Sequence, residues 1–417
     1  MIKKIFNNEY MFSVVAKVSG IVLSLMYTVF FNRFLGTALR GEAAYINNVV
    51  MIFSVVLGFG IYQAYPYYKK NYGDESKNKF ISSVFFQFAI YMIVSILLAV
   101  IFKHNITYLT ITLLVPLSII VNNLAYFVLI ETPKKKNLAD ILIHVIDVIV
   151  TGILFFFVKP NYLWLVFIIA FKDVAWLLIC LKNIKFKIKD IKLNFKDLIE
   201  FSKFGFVPML TYLMSTLNYN IDVLMLKGQV AVSEIGIYAL GVTIAEKAWL
   251  LPNALKDILL SKLSKGKDNS EVAKVIRFAL LACLMLIIAI ICVGKPAINI
   301  LYGEEFSGAY DITVILFIGI IGMVFYKMIS AYNIVHKKQN VSLLFLSVSV
   351  IINIICNLIT IPLMGIKGAA LSSIVSYTIC GIMFLIYFYK KEKTKMRNIL
   401  FANKEDLKYL KNFMIKK

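Results

Sequence analysis

The sequence predicts an all-α polytopic membrane protein with about twelve transmembrane helices. Three observations support this fold class. Of the 417 residues, 60% are hydrophobic and 16% are charged, whereas soluble domains are about 45–50% apolar and about 25% charged. Long apolar runs recur along the whole chain, separated by short charged connections. Lysine and arginine are concentrated in alternate connections, which is the pattern that orients membrane helices.

The apolar runs can be placed one by one, because a bilayer core about 30 Å thick requires about 20 mainly apolar residues per helix. The eighth run is the weakest prediction, since Glu246, Lys247 and Pro252 interrupt it and its amphipathic end could lie along the membrane surface. The predicted spans are 10–31, 43–66, 80–102, 107–130, 138–158, 161–181, 204–226, 235–255, 276–294, 309–333, 341–362 and 367–389.

The basic residues define an orientation. The chain has 45 Lys and Arg against 23 Asp and Glu, a net charge of +22 that on a soluble chain would indicate nucleic-acid binding. Here 34 basic residues fall at the termini and in even-numbered connections, and seven fall on the opposite side. This bias predicts cytoplasmic termini and no nucleic-acid partner. The four basic residues left inside spans are Lys17, Lys172, Lys247 and Lys327.

The chain is predicted to consist of two six-helix halves. The longest connection is rich in lysine and falls after the sixth span, and a weak repeat supports a duplication: Leu35-Gly36 follows the first span and Lys227-Gly228 follows the seventh. The predicted divisions are an N-terminal lobe at 1–181, a cytoplasmic basic linker at 182–203, a C-terminal lobe at 204–389 and a cytoplasmic basic tail at 390–417.

The N-terminal apolar run and the five cysteines indicate neither a cleaved signal peptide nor a metal site. Lys3 and Lys4 precede the first apolar run, but no small-residue cleavage site follows, so the run is expected to be a retained membrane helix. The five cysteines lie in apolar runs without a Cys-x-x-Cys pair or a histidine at ligand spacing. They are predicted to be small buried hydrophobic residues, and no metal or cofactor is predicted.

Polar residues form stripes at helical spacing inside several spans. Polar groups in a membrane are costly unless they face protein or water. The stripes therefore either join helices by hydrogen bonds or line a water-filled cavity between the halves. The residues are Ser13, Lys17, Gly20 and Ser24 in the first span, Thr211, Ser215, Asn218 and Asp222 in the seventh, and Ser342, Ser349, Asn353 and Thr360 in the eleventh.

Charges in the middle of spans favour the cavity, because they lie several residues from the membrane interface. In the fifth span, His144 is stacked between Asp140 and Asp147 on one helix face. That spacing suits a proton or cation relay, and a structural histidine bonded to a neighbouring group explains it equally well.

The sequence contains no motif for chemistry. It has no Gly-x4-Gly-Lys-Ser/Thr sequence for ATP, no Gly-x-Ser-x-Gly elbow and no His-Glu-x-x-His helix. The connections are too short to hold a separate catalytic domain. With polar stripes inside repeated apolar halves and no catalytic group, the sequence favours a transporter and not an enzyme.

Two segments resemble a known family. Residues 31–60, FNRFLGTALRGEAAYINNVVMIFSVVLGFG, are similar to the first loop and second helix of the polysaccharide-biosynthesis flippases. Residues 300–390, from ILYGEEFSGAYDITVILFIG to IPLMGIKGAALSSIVSY, resemble the carboxy-terminal segment of that family. In the second segment, Pro362 is expected to end one helix, and Gly365 and Gly368 to permit a tight return into the last.

The resemblance implies a superfamily, the MOP superfamily, that also holds drug/cation antiporters and lipid II flippases, built as two six-helix lobes forming a V. It implies movement of an undecaprenyl-pyrophosphate-linked oligosaccharide from the inner to the outer leaflet of the cytoplasmic membrane. Lipid II flippases usually have two further helices, so twelve spans favour the capsule, exopolysaccharide or O-antigen branch. The expected partners are this lipid-linked substrate, the bilayer, and a polysaccharide polymerase with its chain-length regulator.

The expected mechanism is alternating access, in which the two lobes rock about the cavity. Individual residues then have expected roles. Two alternatives stay open: a drug/cation antiporter, with an acidic cavity dominated by Asp222 and Glu246, and a non-transport scaffold for the polymerase. The residues expected to bind the anionic headgroup are Lys17, Lys247 and Lys327, with Lys172 as a further candidate; those for cation coupling are His144, Asp147, Asp222 and Glu246; the polar residues expected to line the cavity are Ser13, Ser24, Thr211, Ser215, Asn218 and Asn353.

Overall fold

The computed structural model describes residues 9–184, 194–266, 269–393 and 395–401, without the side chains of 9–15 and 17. The predicted site residues Ser13 and Lys17 therefore lie outside the described side chains. The described part is almost entirely helical and contains no β-strand. Its α-helices are α1 (Glu9–Leu57), α2 (Ile61–Tyr72), α3 (Glu75–Phe102), α4 (Ile106–Glu131), α5 (Pro133–Phe157), α6 (Tyr162–Asn183), α7 (Phe195–Leu226), α8 (Val232–Ala248), α9 (Leu250–Ser264), α10 (Ser270–Tyr302), α11 (Ala309–Val335), α12 (Gln339–Glu392) and α13 (Met396–Leu400).

Two of these helices each contain a tight turn. The backbone leaves the helical region at Gly36 in α1, where φ is 64°, and at Gly365 in α12, where φ is 57°. Only glycine adopts these angles without a Cβ clash, so each glycine marks the point where one helix returns as the next. Pro362, predicted to end the penultimate helix, lies inside it. The helix before the turn therefore ends at Gly365, three residues after Pro362, and not at the proline itself.

The described part contains nine helices that are long and apolar enough to cross a membrane. Two of the nine are α1 and α12, each of which supplies two crossings because of its turn. α7 contains the seventh predicted span, 204–226, and begins nine residues before it. Together these helices account for the twelve predicted crossings and confirm the all-helical polytopic fold.

The second and eighth predicted spans are interrupted. The span predicted at 43–66 is wrong beyond Leu57, because the chain turns at Gly58–Gly60 before α2 begins. A Cβ on Gly60 would lie 2.2 Å from the carbonyl oxygen of Gly205, so α7 approaches this turn too closely for any side chain. In the eighth span, α8 and α9 are separated at Trp249.

The chain divides into two compact units, Met1–Leu213 and Met214–Lys417, called unit 1 and unit 2 below. The division falls within α7. α7 itself begins at Phe195, so the end of the predicted linker 182–203 is helical. Residues 185–193 of that linker lie outside the described residues.

The core of unit 1 is aromatic and joins α2, α3, α4 and α7. The ring centroids of Tyr65 and Phe80 are 4.6 Å apart, and Phe80 stacks on Phe127 at 5.6 Å. Phe201 of α7 packs edge-on against Phe80. This cluster fixes the first turns of α7 against the rest of unit 1.

In unit 2, α11 packs against the second half of α12 through small residues. A Cβ on Gly381 would lie 2.2 Å from the carbonyl oxygen of Gly322, and one on Gly322 would lie 2.4 Å from that of Tyr377. Membrane helices associate mainly through such close backbone packing, because lipid removes the hydrophobic drive between helices. These glycines therefore set the distance between two central helices.

Two contacts in unit 2 join residues near the ends of different predicted spans. Lys367 pairs with Asp311 at 2.7 Å, and both lie at the beginnings of spans predicted to start on the same side. On the other side, the Asn269 side chain donates to Glu392 at 3.2 Å. A missed or invented helix would separate such partners by the thickness of the membrane.

The predicted burial of the cysteines is only partly correct. Cys180, Cys283 and Cys380 are buried, but Cys292 is exposed and Cys356 is half-buried. An exposed apolar side chain on a membrane helix faces lipid, so an apolar run does not by itself imply burial in protein.

We expect Gly381→Val to destabilise the protein strongly. Its branched side chain would have to displace the α11 backbone, and overpacking that forces side chains and backbone to shift costs about 1–3 kcal/mol. Thermal unfolding of the protein in detergent should show a clearly lower midpoint. Gly152→Ala is the control, because its added Cβ would meet only the Phe30 ring at 3.9 Å. An unchanged midpoint for Gly381→Val would contradict this packing.

Candidate functional site

Unit 1 encloses a polar cavity of about 560 Å³ among its membrane helices. Cavities of roughly 300–1,000 Å³ with a few convergent polar groups are typical of small-molecule sites. Helices α1, α4 and α6 supply most of the wall. The polar and tyrosine side chains that line it are Tyr27, Asn47, Ser54, Tyr62, Ser118, Asn122, Tyr126, Lys136, Lys172, Asp173 and Tyr212.

Lys172, a predicted headgroup residue, lies in the wall of this cavity. Its Nζ atom is 3.9 Å from Oδ2 of Asp147 and 5.7 Å from the centroid of the Tyr27 ring. Asp147 is buried, with 6% of its side chain exposed, and its Oδ2 accepts no hydrogen bond from the described residues. The ammonium is thus held by a loose ion pair and an aromatic face, and it keeps donor capacity for a ligand.

The sequence interpretation missed Lys136, which it assigned to a cytoplasmic connection. Lys136 lies in the first turn of α5, donates to Asp140 at 2.6 Å and is 4.5 Å from the centroid of the Trp176 ring. The signal that could have placed it is Pro133, because proline is favoured at the first turn of a helix. A helix beginning there puts Lys136 one turn before Asp140.

The predicted stack of Asp140, His144 and Asp147 lies on one face of α5, and its members have different surroundings. Asp140 pairs with Lys136, and Asp147 faces Lys172. The ring of His144 lies beside Gly20 of α1, 3.5 Å from the position of a Cβ there. Both carboxylates of the stack therefore engage lysines that line the cavity.

Four tyrosines lining the cavity were not predicted as site residues. Tyr27 comes from α1, Tyr126 from α4 and Tyr212 from α7. The fourth, Tyr62, lies 5.1 Å from Tyr126 between ring centroids and accepts a hydrogen bond from Gln63 at 3.0 Å. Tyrosine spacing gave no clear signal, because the four residues come from four different helices.

Unit 2 contains a buried polar network centred on Asp222, of which 1% is exposed. Tyr238 of α8 donates to Oδ2 of this carboxylate at 2.7 Å, and Ser373 donates to the same oxygen at 2.5 Å. Asn357 donates to Oδ1 at 2.6 Å. Asp222 thereby joins α7 to α8 and to both halves of α12, with three neutral donors around one carboxylate.

Further hydrogen bonds extend the network. Asn357 donates to Asn353 at 2.9 Å, and Ser349 donates to Asn218 at 3.1 Å. Asn218 and Asn353, predicted to line a cavity, are fully buried here. The stripes of the seventh and eleventh spans thus face each other and bond across helices. The described structure places Oδ1 of Asn357 in this network without a hydrogen-bond donor.

Lys327, another predicted headgroup residue, is held in an aromatic setting in unit 2. Its Nζ donates to Oδ1 of Asn253 at 2.6 Å and lies 4.5 Å from the centroid of the Trp249 ring. The ring of Tyr219 is 5.9 Å away. A lysine has three N–H donors, so this arrangement leaves capacity for an anion.

The remaining predicted residues are in varied positions. Glu246 is exposed and lines a small pocket with Tyr219 and Trp249, and Lys247 occupies the last turn of α8. Ser24 accepts through its carbonyl from Thr28. Thr211 bonds to the carbonyl of Val207, and Ser215 accepts from Tyr326 at 3.5 Å.

One end of unit 1 carries an ionic cluster that joins α2, α3 and α4. Glu131 lies 2.7 Å from Lys69 and 2.8 Å from Lys77, and Tyr65 donates to it at 2.7 Å. Hydrogen bonds from Lys77 and Lys69 lower the pKa of the nearby Asp74 carboxyl. The cluster locks the connection between α2 and α3 and lies outside the polar cavity.

Comparison with solved structures identifies the fold. An inward-facing multidrug resistance MATE family transporter of the MOP superfamily matches with a TM-score of 0.70 and 12% identity, covering 90% of this chain and 96% of that one. The lipid II flippase MurJ in an inward closed conformation matches with a TM-score of 0.67 and 18% identity, covering 93% and 89%. The fold is therefore that of the MOP superfamily transporters, a multi-pass membrane fold.

The chain belongs to the polysaccharide biosynthesis protein family, whose sequence model matches residues 30–311. The match includes the first of the two segments that resemble flippases and the beginning of the second. A comparison with curated proteins finds no match by sequence.

Proposed function

We propose that this protein is a flippase that moves an undecaprenyl-pyrophosphate-linked oligosaccharide from the inner to the outer leaflet of the cytoplasmic membrane. The observation that carries the proposal is the polar cavity of unit 1, enclosed by apolar membrane helices in a chain of the polysaccharide biosynthesis family. A hydrated sugar headgroup cannot cross hydrocarbon unaided, so a transporter must replace its water with polar contacts.

The residues around the cavity suit the two parts of such a headgroup. Tyrosine rings offer flat apolar faces with a polar edge, which suit sugar rings, and Asn122 and Asp173 offer hydrogen-bonding groups for hydroxyls. Lys172 and Lys136 offer ammonium groups for phosphate oxygens. Lys247 and Lys327, together with Lys17, whose side chain lies outside the described residues, complete the proposed set of headgroup lysines.

Asp222 is the leading candidate for cation coupling. Its buried carboxylate has only neutral donors around it, so a bound proton or monovalent cation would offset the cost of burying its charge. Oxygen atoms of Asn353 and Asn357 lie in the same network. Asp147, His144 and Glu246 are the secondary candidates.

The alternative of a drug/cation antiporter shares the fold of the MATE neighbour. An antiporter for cationic drugs calls for a mainly acidic cavity, whereas this cavity presents two lysines and one aspartate. The lining therefore favours the flippase. The remaining parts of the proposal are a cytoplasmic location of both termini and a partnership with the polymerase and its chain-length regulator.

Depletion of the protein should trap lipid-linked oligosaccharide in the inner leaflet. The measurement is the total lipid-linked oligosaccharide and the fraction that a membrane-impermeant lectin can reach in intact cells. The flippase proposal predicts a rise in the total and a fall in the reachable fraction. A polymerase scaffold predicts accumulation that remains reachable, and a drug antiporter predicts no accumulation, so either result would refute the proposal.

A further inference from the structure

Unit 1 contains a second cavity, of about 590 Å³, which is apolar. It lies between α3 and the first turns of α7, with Phe59 of the Gly58–Gly60 turn at its side. We call it the α3–α7 groove. Its lining residues are Phe59, Gln87, Ile90, Tyr91, Phe195, Leu198, Ile199, Ser202, Lys203 and Phe206.

The polar groups inside the groove are already engaged by the protein. The turn at Gly58–Gly60 interrupts the helix and frees the carbonyl of Leu57, and both Gln87 and Tyr91 donate to it, at 2.9 and 2.8 Å. Ser202 donates to the carbonyl of Leu198 at 2.8 Å. The groove is therefore suited to an apolar ligand and not to a sugar or a water cluster.

The groove is also held open by rigid backbone. The contact between Gly60 and Gly205 allows no side chain, so the turn and α7 cannot move closer together. Phe59 has a φ of 49°, a left-handed conformation that is strained for a bulky residue. Strained residues of this kind persist where the surrounding structure fixes them, and they are common at ligand clamps.

The described lining of the groove includes one charged side chain. Among the described residues that line it, Lys203 is the only one with a charged side chain, and that side chain is exposed. Phe59, Phe195 and Phe206 also line the groove and are exposed. An apolar groove with one ammonium in its lining is complementary to a single lipid chain that carries an anionic headgroup.

We propose that the α3–α7 groove binds the isoprenoid chain of the lipid-linked substrate, with the phosphate nearest the chain at Lys203. This inference rests on the proposed function for the identity of the lipid. A polyprenyl phosphate brings one chain to one anionic group, as the groove and Lys203 require. A bilayer phospholipid brings two chains to each headgroup and fits less well.

The test is photolabelling of the full chain in lipid nanodiscs. The probe is a polyprenyl phosphate with a diazirine on its chain and no sugar, and the labelled peptides are identified by mass spectrometry. We expect labels within 87–91 or 198–206. Ser202→Trp and Ile90→Trp, which fill the groove, should each reduce labelling about tenfold, equivalent to about 1.4 kcal/mol of binding free energy.

Matched variants separate the groove from general lipid contact. Leu97→Trp on α3 is the steric control, because Leu97 is 64% exposed and does not line the groove. Lys203→Glu should weaken labelling by the phosphate probe but not by the corresponding uncharged polyprenol, and Lys196→Glu, on the same helix outside the groove, should weaken neither.

Three results would overturn the inference: labels elsewhere, labelling that is insensitive to both tryptophan variants, or equal competition by phosphatidylglycerol. Groove labelling that persists in a protein without flippase activity would refute the proposed function and leave the groove as a polyprenyl phosphate site.

Discussion

Asp222→Asn is expected to abolish the stabilisation of this protein by the cation that we propose to bind at Asp222. The wild-type carboxylate sits among Tyr238, Ser373 and Asn357 with no charged partner within 4 Å among the described residues. A cation that binds only the folded state stabilises it by about 2.7 kcal/mol at a concentration of 100 times Kd. The thermal midpoint of the wild type in detergent should therefore rise with sodium, relative to choline, or change with pH if the ion is a proton.

The asparagine variant keeps the shape of the side chain and removes its charge, so its midpoint should not respond to the ion. Asp222→Ala should be less stable still, because three buried donors lose their acceptor at about 1–3 kcal/mol each. Asp311→Asn is the control, since Asp311 lies in the same unit and forms a partly exposed pair with Lys367. A wild-type midpoint that is the same in sodium, potassium and choline and from pH 5.5 to 8.5 would refute coupling at Asp222.

Lys172→Met is expected to reduce delivery of oligosaccharide to the outer leaflet by about ten- to a hundredfold. Hydrogen bonds to charged groups contribute about 1.5–3 kcal/mol, and every 1.4 kcal/mol is a factor of ten. The measurement is the lectin-reachable fraction in depleted cells that express the variant at the wild-type level. Lys172→Arg should keep most of the activity, and Lys182→Met, an exposed position on the same helix, should have no effect.

A double variant distinguishes substrate binding from a purely internal ion pair. Lys172 lies 3.9 Å from Asp147, so its loss also leaves a buried carboxylate without its cation. If the lysine only neutralises that carboxylate, Asp147→Asn combined with Lys172→Met should restore transport. We expect the double variant to remain defective, because it still lacks the ammonium that faces the cavity. Full recovery would refute the headgroup role of Lys172.

The helices were predictable because each span is a local property of composition. A run of about 20 apolar residues is long enough to cross a bilayer wherever it occurs in the chain. The bias of basic residues then checks the number of spans. The errors are at positions where distant backbone intervenes. The second span extends wrongly past Leu57, because α7 approaches through Gly205 and a turn forms at Gly60. The sequence of residues 43–66 contains no pattern that predicts the contact with Gly205.

The candidate site was predictable only in part. Lys172, Asp147 and Asp222 can be identified as site candidates because they are charged residues inside spans. A charge in the membrane is costly, so it is found mainly where it has a partner or a function. Lys136 was assigned to a connection, because a lysine run near a span end has the same composition inside or outside a helix. The four tyrosines of the cavity come from four helices, so only packing shows that they share a wall.

From composition and charge alone, the chain is recognisable as a polytopic membrane protein with about twelve crossings, and the few charges inside its spans stand out. Those results follow from the free-energy cost of placing polar groups in hydrocarbon, because that cost applies to each segment independently of the rest of the fold. Only the packing of the helices shows which polar stripe lines a cavity and which one forms a buried hydrogen-bond network. The first unit forms a polar cavity with Lys136 and Lys172, whereas Asp222, Asn218 and Asn353 close into a buried network. The reason is physical: a polar face on one helix is satisfied either by a facing helix or by a cavity, and the approach of the neighbouring backbones decides between them.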